Sequence, residues 1–143
     1  MRGARILPNP FPLTDFMGVR AEDAQKLSAV GIRYAGQMLE AGRTKAQRET
    51  LALQTGIAEE TILELVKLSD LARIPGVKGV RARLYLECGL DSPARLAQLD
   101  PQELVRRVTE YVQRSGFPGV PTLPEEARHT VESTAKLPDV VEY

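Results

Sequence analysis

The sequence predicts an all-α fold, a compact bundle of seven or eight short helices. Three observations predict it. No segment alternates apolar and polar residues as a half-buried strand does. Apolar residues recur instead at helical spacing, in runs opened by Ser, Thr or Asp and closed by Gly. The 143-residue chain is 43% hydrophobic but only 5% aromatic and has no Trp. Its core must therefore be mostly Leu, Val, Ile and Ala, which favours helices.

Each element has a local cause. LPNPFPLTD (7–15) has prolines at 8, 10 and 12 and should run extended over the surface. AEDAQKLSAV (21–30) reads as a short helix closed by Gly31, and YAGQMLEA (34–41) as another closed by Gly42. Thr44 and Gln47 have capping-box spacing and open a helix to about Gln54, broken by Gly56. A longer helix spans about Ala58 to Leu71, with Ile62, Leu65, Val66 and Leu68 on one side. Pro75-Gly76 turns the chain, and VRARLYLEC (80–88) is helical up to Gly89. Ser92-Pro93 starts the next helix. Asp100-Pro101, with Glu103, starts another that Gly116 ends. FPGVPTLP (117–124) is a turn-rich linker, and Thr122 with Glu125 opens a last helix to about Leu137, before an acidic tail. The expected division is an extended Pro-rich arm at 1–15, a helical domain at 16–116, and a linker, C-terminal helix and tail at 117–143.

Charge and cysteine content narrow the function classes. Lys plus Arg equal Asp plus Glu at 19 each, with a pI near 6.6. This excludes a uniformly basic nucleic-acid coat protein, so contact with nucleic acid would need a local patch. Cys88 is the single cysteine, which leaves no intrachain disulfide and no cysteine-built metal site. MRGARILPNPFP lacks a signal-peptide apolar core, and no apolar run approaches the roughly 20 residues of a membrane helix. A cytoplasmic protein with no membrane partner and no cofactor is expected.

Sliding the chain along itself by 58 positions aligns Gly18-Val19 with Gly76-Val77, Ala24 with Ala82, and Gly31-Ile32 with Gly89-Leu90. Arg20 falls on Lys78, and Met38 on Leu96. Each match has one physical job. The first glycine permits a tight corner, the alanine lets helices approach closely, and the second glycine supplies a left-handed helix end. Two copies of one helical unit, packed about a pseudo-twofold axis, are the expectation.

The unit resembles the helix-hairpin-helix motif. IPGVKGVRA supplies Ile74, Pro75, Gly76, Val77 and Ala82 in the motif's register. Lys78 stands where the motif has its second glycine, with Gly79 one place later. FMGVRAEDA keeps Gly18, Val19 and Ala24 but has Arg20 at that place. More narrowly, MLEAG, LALQTGI, ILELVKLSDLARIPGV and ARLAQLDPQEL are similar to an uncharacterised bacterial family of unknown function, the family numbered forty-three thirty-two. LPEEARHTVESTAKL fits that family's closing helix. The family name carries no activity.

Helix-hairpin-helix domains typically hold nucleic-acid phosphates on backbone amides without reading bases. The resemblance implies the amides of Gly76, Val77, Lys78 and Gly79 here. Amides at a helix start or glycine turn lack carbonyl partners and so form an anion cradle. From Leu71 to Leu86 there are four basic residues and no acidic one. Lys78, Arg81 and Arg83 would add charge, flanked by Arg73. Against this, Arg81 and Arg83 are two apart and point to different sides of a helix. Glu22 and Asp23 would repel phosphate at the first corner, which reads better as a structural partner.

Other features are weaker. LALQTGIAEETILELVKL has the spacing of a DNA-reading helix-turn-helix, but Glu59, Glu60 and Glu64 oppose phosphate on its second helix. Cys88 aligns with Val30 and reads as a small hydrophobe in an apolar pocket. His129 reads as a surface residue without enough ligands nearby for a metal. Arg106 and Arg107 either extend a basic surface or pair with Glu103 and Glu110. Asp100 reads as a helix cap, not a catalytic acid, and no nucleophile–base or phosphate-loop spacing appears. The sequence thus predicts a non-enzymatic domain with weak, sequence-independent DNA binding through the second corner. The alternative is a protein-docking module acting through the Pro-rich arm or the C-terminal helix.

Overall fold

The computed structural model describes residues 5–119 and 121–143; residues 1–4 of the arm and Val120 of the linker lie outside the described residues. Among the described residues the protein is all-α. A 3-10 turn at Leu13–Asp15 precedes α1 (Ala21–Ser28), α2 (Ala35–Ala41), α3 (Lys45–Thr55), α4 (Glu59–Leu71), α5 (Gly79–Glu87), α6 (Pro93–Ala97), α7 (Pro101–Ser115) and α8 (Pro124–Thr134).

The helix ends follow from side-chain chemistry. The Gln47 amide donates to the Thr44 hydroxyl at 3.2 Å, while Gln47 Oε1 accepts the Thr44 amide at 2.9 Å, closing a reciprocal cap on α3. Ser92 and Asp100 accept the amides of Arg95 and Glu103, each with Pro in the first turn. The start of α8 corrects the Thr122–Glu125 expectation. Pro124 takes the first turn, so the cap moves one residue on, and the Leu123 amide donates to Glu126 at 3.3 Å. Thr122 is buried, and its hydroxyl accepts from Arg81 at 3.3 Å.

Helix α4 is the spine. It packs against α2, α3 and α5, while α6 and α7 pack against α8. Leu13, Phe16, Leu27, Met38, Ile62, Leu65, Leu68, Tyr85 and Leu96 are all buried in one continuous core. Burying each such side chain stabilises the fold by about 1.5–3 kcal/mol. The Pro-rich arm is extended, as its prolines dictate, but it is clamped to the bundle. The amides of Gly36 and Ala35 donate to the carbonyls of Asn9 and Phe11, at 3.0 and 2.9 Å, and Ile6 and Leu13 enter the core.

The acidic tail is likewise held. Residues 138–143 lie outside any helix and pack on the bundle with Val140 and Val141 buried. The Tyr143 hydroxyl donates to Asp70 at 2.7 Å, and Arg73 Nε donates to the other Asp70 oxygen at 2.8 Å. Burial pushes the Asp70 carboxyl above its ordinary range, against the pull of Arg73 and the Tyr143 hydroxyl, with Asp139 pushing the same way as burial. The folded protein therefore holds this proton more tightly than the unfolded chain does. Asp70's contribution to stability is fully present below about 4, the unfolded value, and is lost as pH rises through the raised folded one. Urea unfolding across that window should show the decline, and Asp70→Asn should flatten it.

Candidate nucleic-acid interface

The turn between α4 and α5 is built as its sequence requires. Gly76 has φ of +87°, a conformation in which a side chain is strained, and the Val77 amide donates back to the Ile74 carbonyl at 3.0 Å. Val77 is buried and so fixes the turn to the core, while Lys78 is exposed at the cap of α5. The Ala82 amide donates to the Lys78 carbonyl at 2.9 Å. The amides of Gly76, Lys78, Gly79 and Val80 have no hydrogen-bond acceptor among the described residues. They border an open depression of about 500 Å³, shared with Pro118, Gly119 and Glu126. Val77 alone of the four amides named from sequence is consumed inside the turn.

The cations behave differently from the amides. Arg73 is drawn down the side of α4, bonded to Asp70 and, at 3.0 Å, to the Pro138 carbonyl. Arg81 turns towards α8, pairing with Glu126 at 3.3 Å and donating to Thr122. Arg83 is 7% exposed and faces the other way. It donates to the Met17 carbonyl at 2.6 Å and pairs with Glu64 at 2.9 Å. The structure thus separates Arg81 and Arg83, as their spacing demands. It leaves Lys78 as the one of these four cations without a partner among the described residues. Glu126 brings a carboxylate to the same depression, already paired with Arg81.

Gly79 has a second task. A Cβ there would collide with the carbonyl oxygen of Asp15, and the Met17 amide donates to the Gly79 carbonyl at 3.3 Å. The start of α5 therefore lies directly on the backbone of the first corner. Arg83 completes this contact, with its guanidinium in the space a Gly18 side chain would take, 2.9 Å from that Cβ position.

Positions 58 apart share geometry around the two corners. Gly18 and Gly76 have φ of +85° and +87°, and Gly31 and Gly89 +86° and +81°. The amide of Val19 bonds the carbonyl of Phe16 as Val77 does Ile74; Ile32 bonds Leu27 as Leu90 does Tyr85. Charge separates the corners. Arg20, at the place of Lys78, pairs with Glu22 and Asp23 in the first turn of α1.

The remaining side chains fall into place by packing. Glu64, on the helix-turn-helix-like segment, is taken by Arg83. Cys88 is half-buried, and burial with Glu87 nearby pushes its thiol up to about 11, well away from a reactive thiolate. It packs against the core as a small hydrophobe, whereas its sequence counterpart Val30 is 36% exposed. His129 is exposed, and no group of three metal-ligating side chains occurs among the described residues. Arg106 pairs with Glu103 and Glu110, and Arg107 with Glu103. Sequence reasoning missed Arg43, Arg48 and Asp70, which hold the tail. The signals were the Val140-Val141 pair in an otherwise polar terminus and an Asp at the buried end of α4.

No helix of the described residues is long and apolar enough to cross a membrane. No curated protein and no solved structure matches the chain. A family model described as a domain of unknown function (DUF4332) matches residues 17–132, from the first corner through most of α8. That span covers well over half of the sequence, and the protein belongs to this family of unknown function.

Proposed function

We propose that the protein is a non-enzymatic, cytoplasmic helix-hairpin-helix domain that binds nucleic acid weakly and without sequence preference through its second corner. The two corners are read as copies of one unit, of which the first has become structural and the second keeps the anion-binding role. One observation supports this reading: among the described residues the amides at Gly76, Lys78, Gly79 and Val80 lack acceptors and lie beside the Lys78 ammonium, which has no partner there. Amides so arranged favour a phosphate oxygen, and a nearby cation adds charge without base readout.

The internal pairing of Arg73, Arg81 and Arg83 limits the footprint. Of these four cations only Lys78 lacks a partner among the described residues, so few counterions leave the DNA on binding. Random duplex titrated at several salt concentrations should give a log–log affinity slope of about −0.9, against roughly −3.6 if all four cations met phosphates. No binding at low salt would remove the reading.

A second reading, a protein-docking module, is favoured by an apolar groove of about 440 Å³ between the arm and α2. It is lined by Ile6, Leu7, Pro8, Pro10 and Tyr34, with Leu7 67% and Tyr34 40% exposed. Deleting residues 1–12 would test it poorly, because Ile6 is core. Leu7→Glu leaves the core alone and should abolish a co-purifying partner bound there.

A further inference from the structure

The depression beside the amides of the second corner is not lined by cations alone. Lys78 and Arg81 line it from α5, and Glu126 lines it from α8. The Glu126 carboxylate pairs with Arg81 at 3.3 Å and accepts the Leu123 amide at 3.3 Å, and its side chain is still 39% exposed. One residue thus offsets a positive charge at the depression and presents a partly open carboxylate there.

The structural roles of Glu126 do not require its charge. A capping box is closed by Gln as well as by Glu, because only a side-chain oxygen is used. The favourable interaction of an acid with the start of α8 is also supplied by Glu125, in the same first turn. Arg81 donates to the Thr122 hydroxyl as well, so the carboxylate is not its sole anchor. What a glutamine could not do is oppose an anion. A carboxylate in the depression repels a phosphate arriving at the amides and cancels the attraction that Arg81 would add.

The first corner carries its counter-charge differently. There Glu22 and Asp23, in the first turn of α1 itself, pair with Arg20 at the place of Lys78. At the second corner the carboxylate comes from 45 residues along the chain and takes Arg81, not Lys78. Positive charge at this corner is therefore reduced without being abolished.

We propose that Glu126 is an electrostatic brake on the second corner, a carboxylate that holds its affinity for nucleic-acid phosphate below what the amides and cations alone would give. This brake rests on the nucleic-acid reading of that corner. It makes weak binding the property of one side chain on another helix.

The test is a titration of the full chain with random duplex DNA at two salt concentrations, with circular dichroism to follow folding. Glu126→Gln keeps an oxygen for the cap and for Arg81 but removes the charge. A unit charge about 7 Å from a phosphate in water is worth about threefold in affinity, so this variant should bind about threefold more tightly than wild type at low salt. The gain should shrink at higher salt, because exposed charges more than about 8 Å apart are largely screened at 0.15 M. Glu126→Ala, which also gives up the cap, should show the same gain, so the result does not hang on one replacement. Glu125→Gln makes the same change in net charge one residue away, where the side chain is 88% exposed and paired with Arg128, and should bind as wild type does. Equal gains in Glu125→Gln and Glu126→Gln would overturn the proposal, since overall charge would then explain them. So would wild-type affinity in Glu126→Gln while Lys78→Glu still weakens binding; the corner would then hold nucleic acid without a brake. Absence of binding in wild type and Glu126→Gln alike would remove the nucleic-acid reading and the brake with it.

Discussion

Gly79→Ala is expected to destabilise the protein by about 3 kcal/mol and lower its melting temperature by roughly 10 °C. The backbone of Gly79 is not in the left-handed region, so the cost is not torsional. It comes from the Asp15 carbonyl, which occupies the place of the new methyl group. Both partners are main chain, and no rotamer can relieve the clash. Separating α5 from the first corner would lengthen the Met17–Gly79 hydrogen bond and pull Arg83 away from the Met17 carbonyl and from Glu64. Val80→Ala, one residue on and half exposed, should stay within about 0.5 kcal/mol of wild type. Thermal denaturation of the two variants side by side checks this. A Gly79→Ala protein that melts with the wild type would mean the corners are not locked by that approach.

Lys78→Glu should have the largest effect on binding. A unit charge 4 Å from a phosphate in water is worth about 1 kcal/mol, and reversing its sign doubles the change, so affinity for duplex DNA should fall about thirtyfold. The fold should be untouched, because Lys78 is exposed and its side chain makes no hydrogen bond or ion pair among the described residues. Arg83→Met gives the opposite result. It keeps the packing but strands the Met17 carbonyl and Glu64, costing about 1–2 kcal/mol of stability, and it leaves DNA affinity unchanged. Titrations with circular dichroism on both variants separate the roles. Loss of DNA binding in Arg83→Met at full helicity would return that residue to the interface.

The helices were legible because their ends are written locally. Thr44–Gln47, Ser92-Pro93, Asp100-Pro101, Gly56 and Gly116 act within one turn of chain, and each lies where its chemistry puts it. The start of α8 moved because two cap spacings overlap there, and only Pro124 decides between them. The corner's glycines and free amides could also be read, since a turn's backbone follows from its own residues. The fate of the arginines could not. A basic run looks alike whether its partners are phosphates or the side chains of Glu64, Glu126 and Asp70, which are distant in sequence. Nor do prolines and acidic residues at the termini reveal that Ile6, Val140 and Val141 complete the core, because that depends on where the chain returns.

The most direct test is an amide-resolved nuclear magnetic resonance titration of the full chain with random duplex DNA at low salt. The predicted result is a change centred on the amides of Gly76, Lys78, Gly79 and Val80, absent in Lys78→Glu. Shifts centred on α1, on the 138–143 segment or on the groove beside the arm, with the Gly76–Val80 amides unmoved, would contradict it.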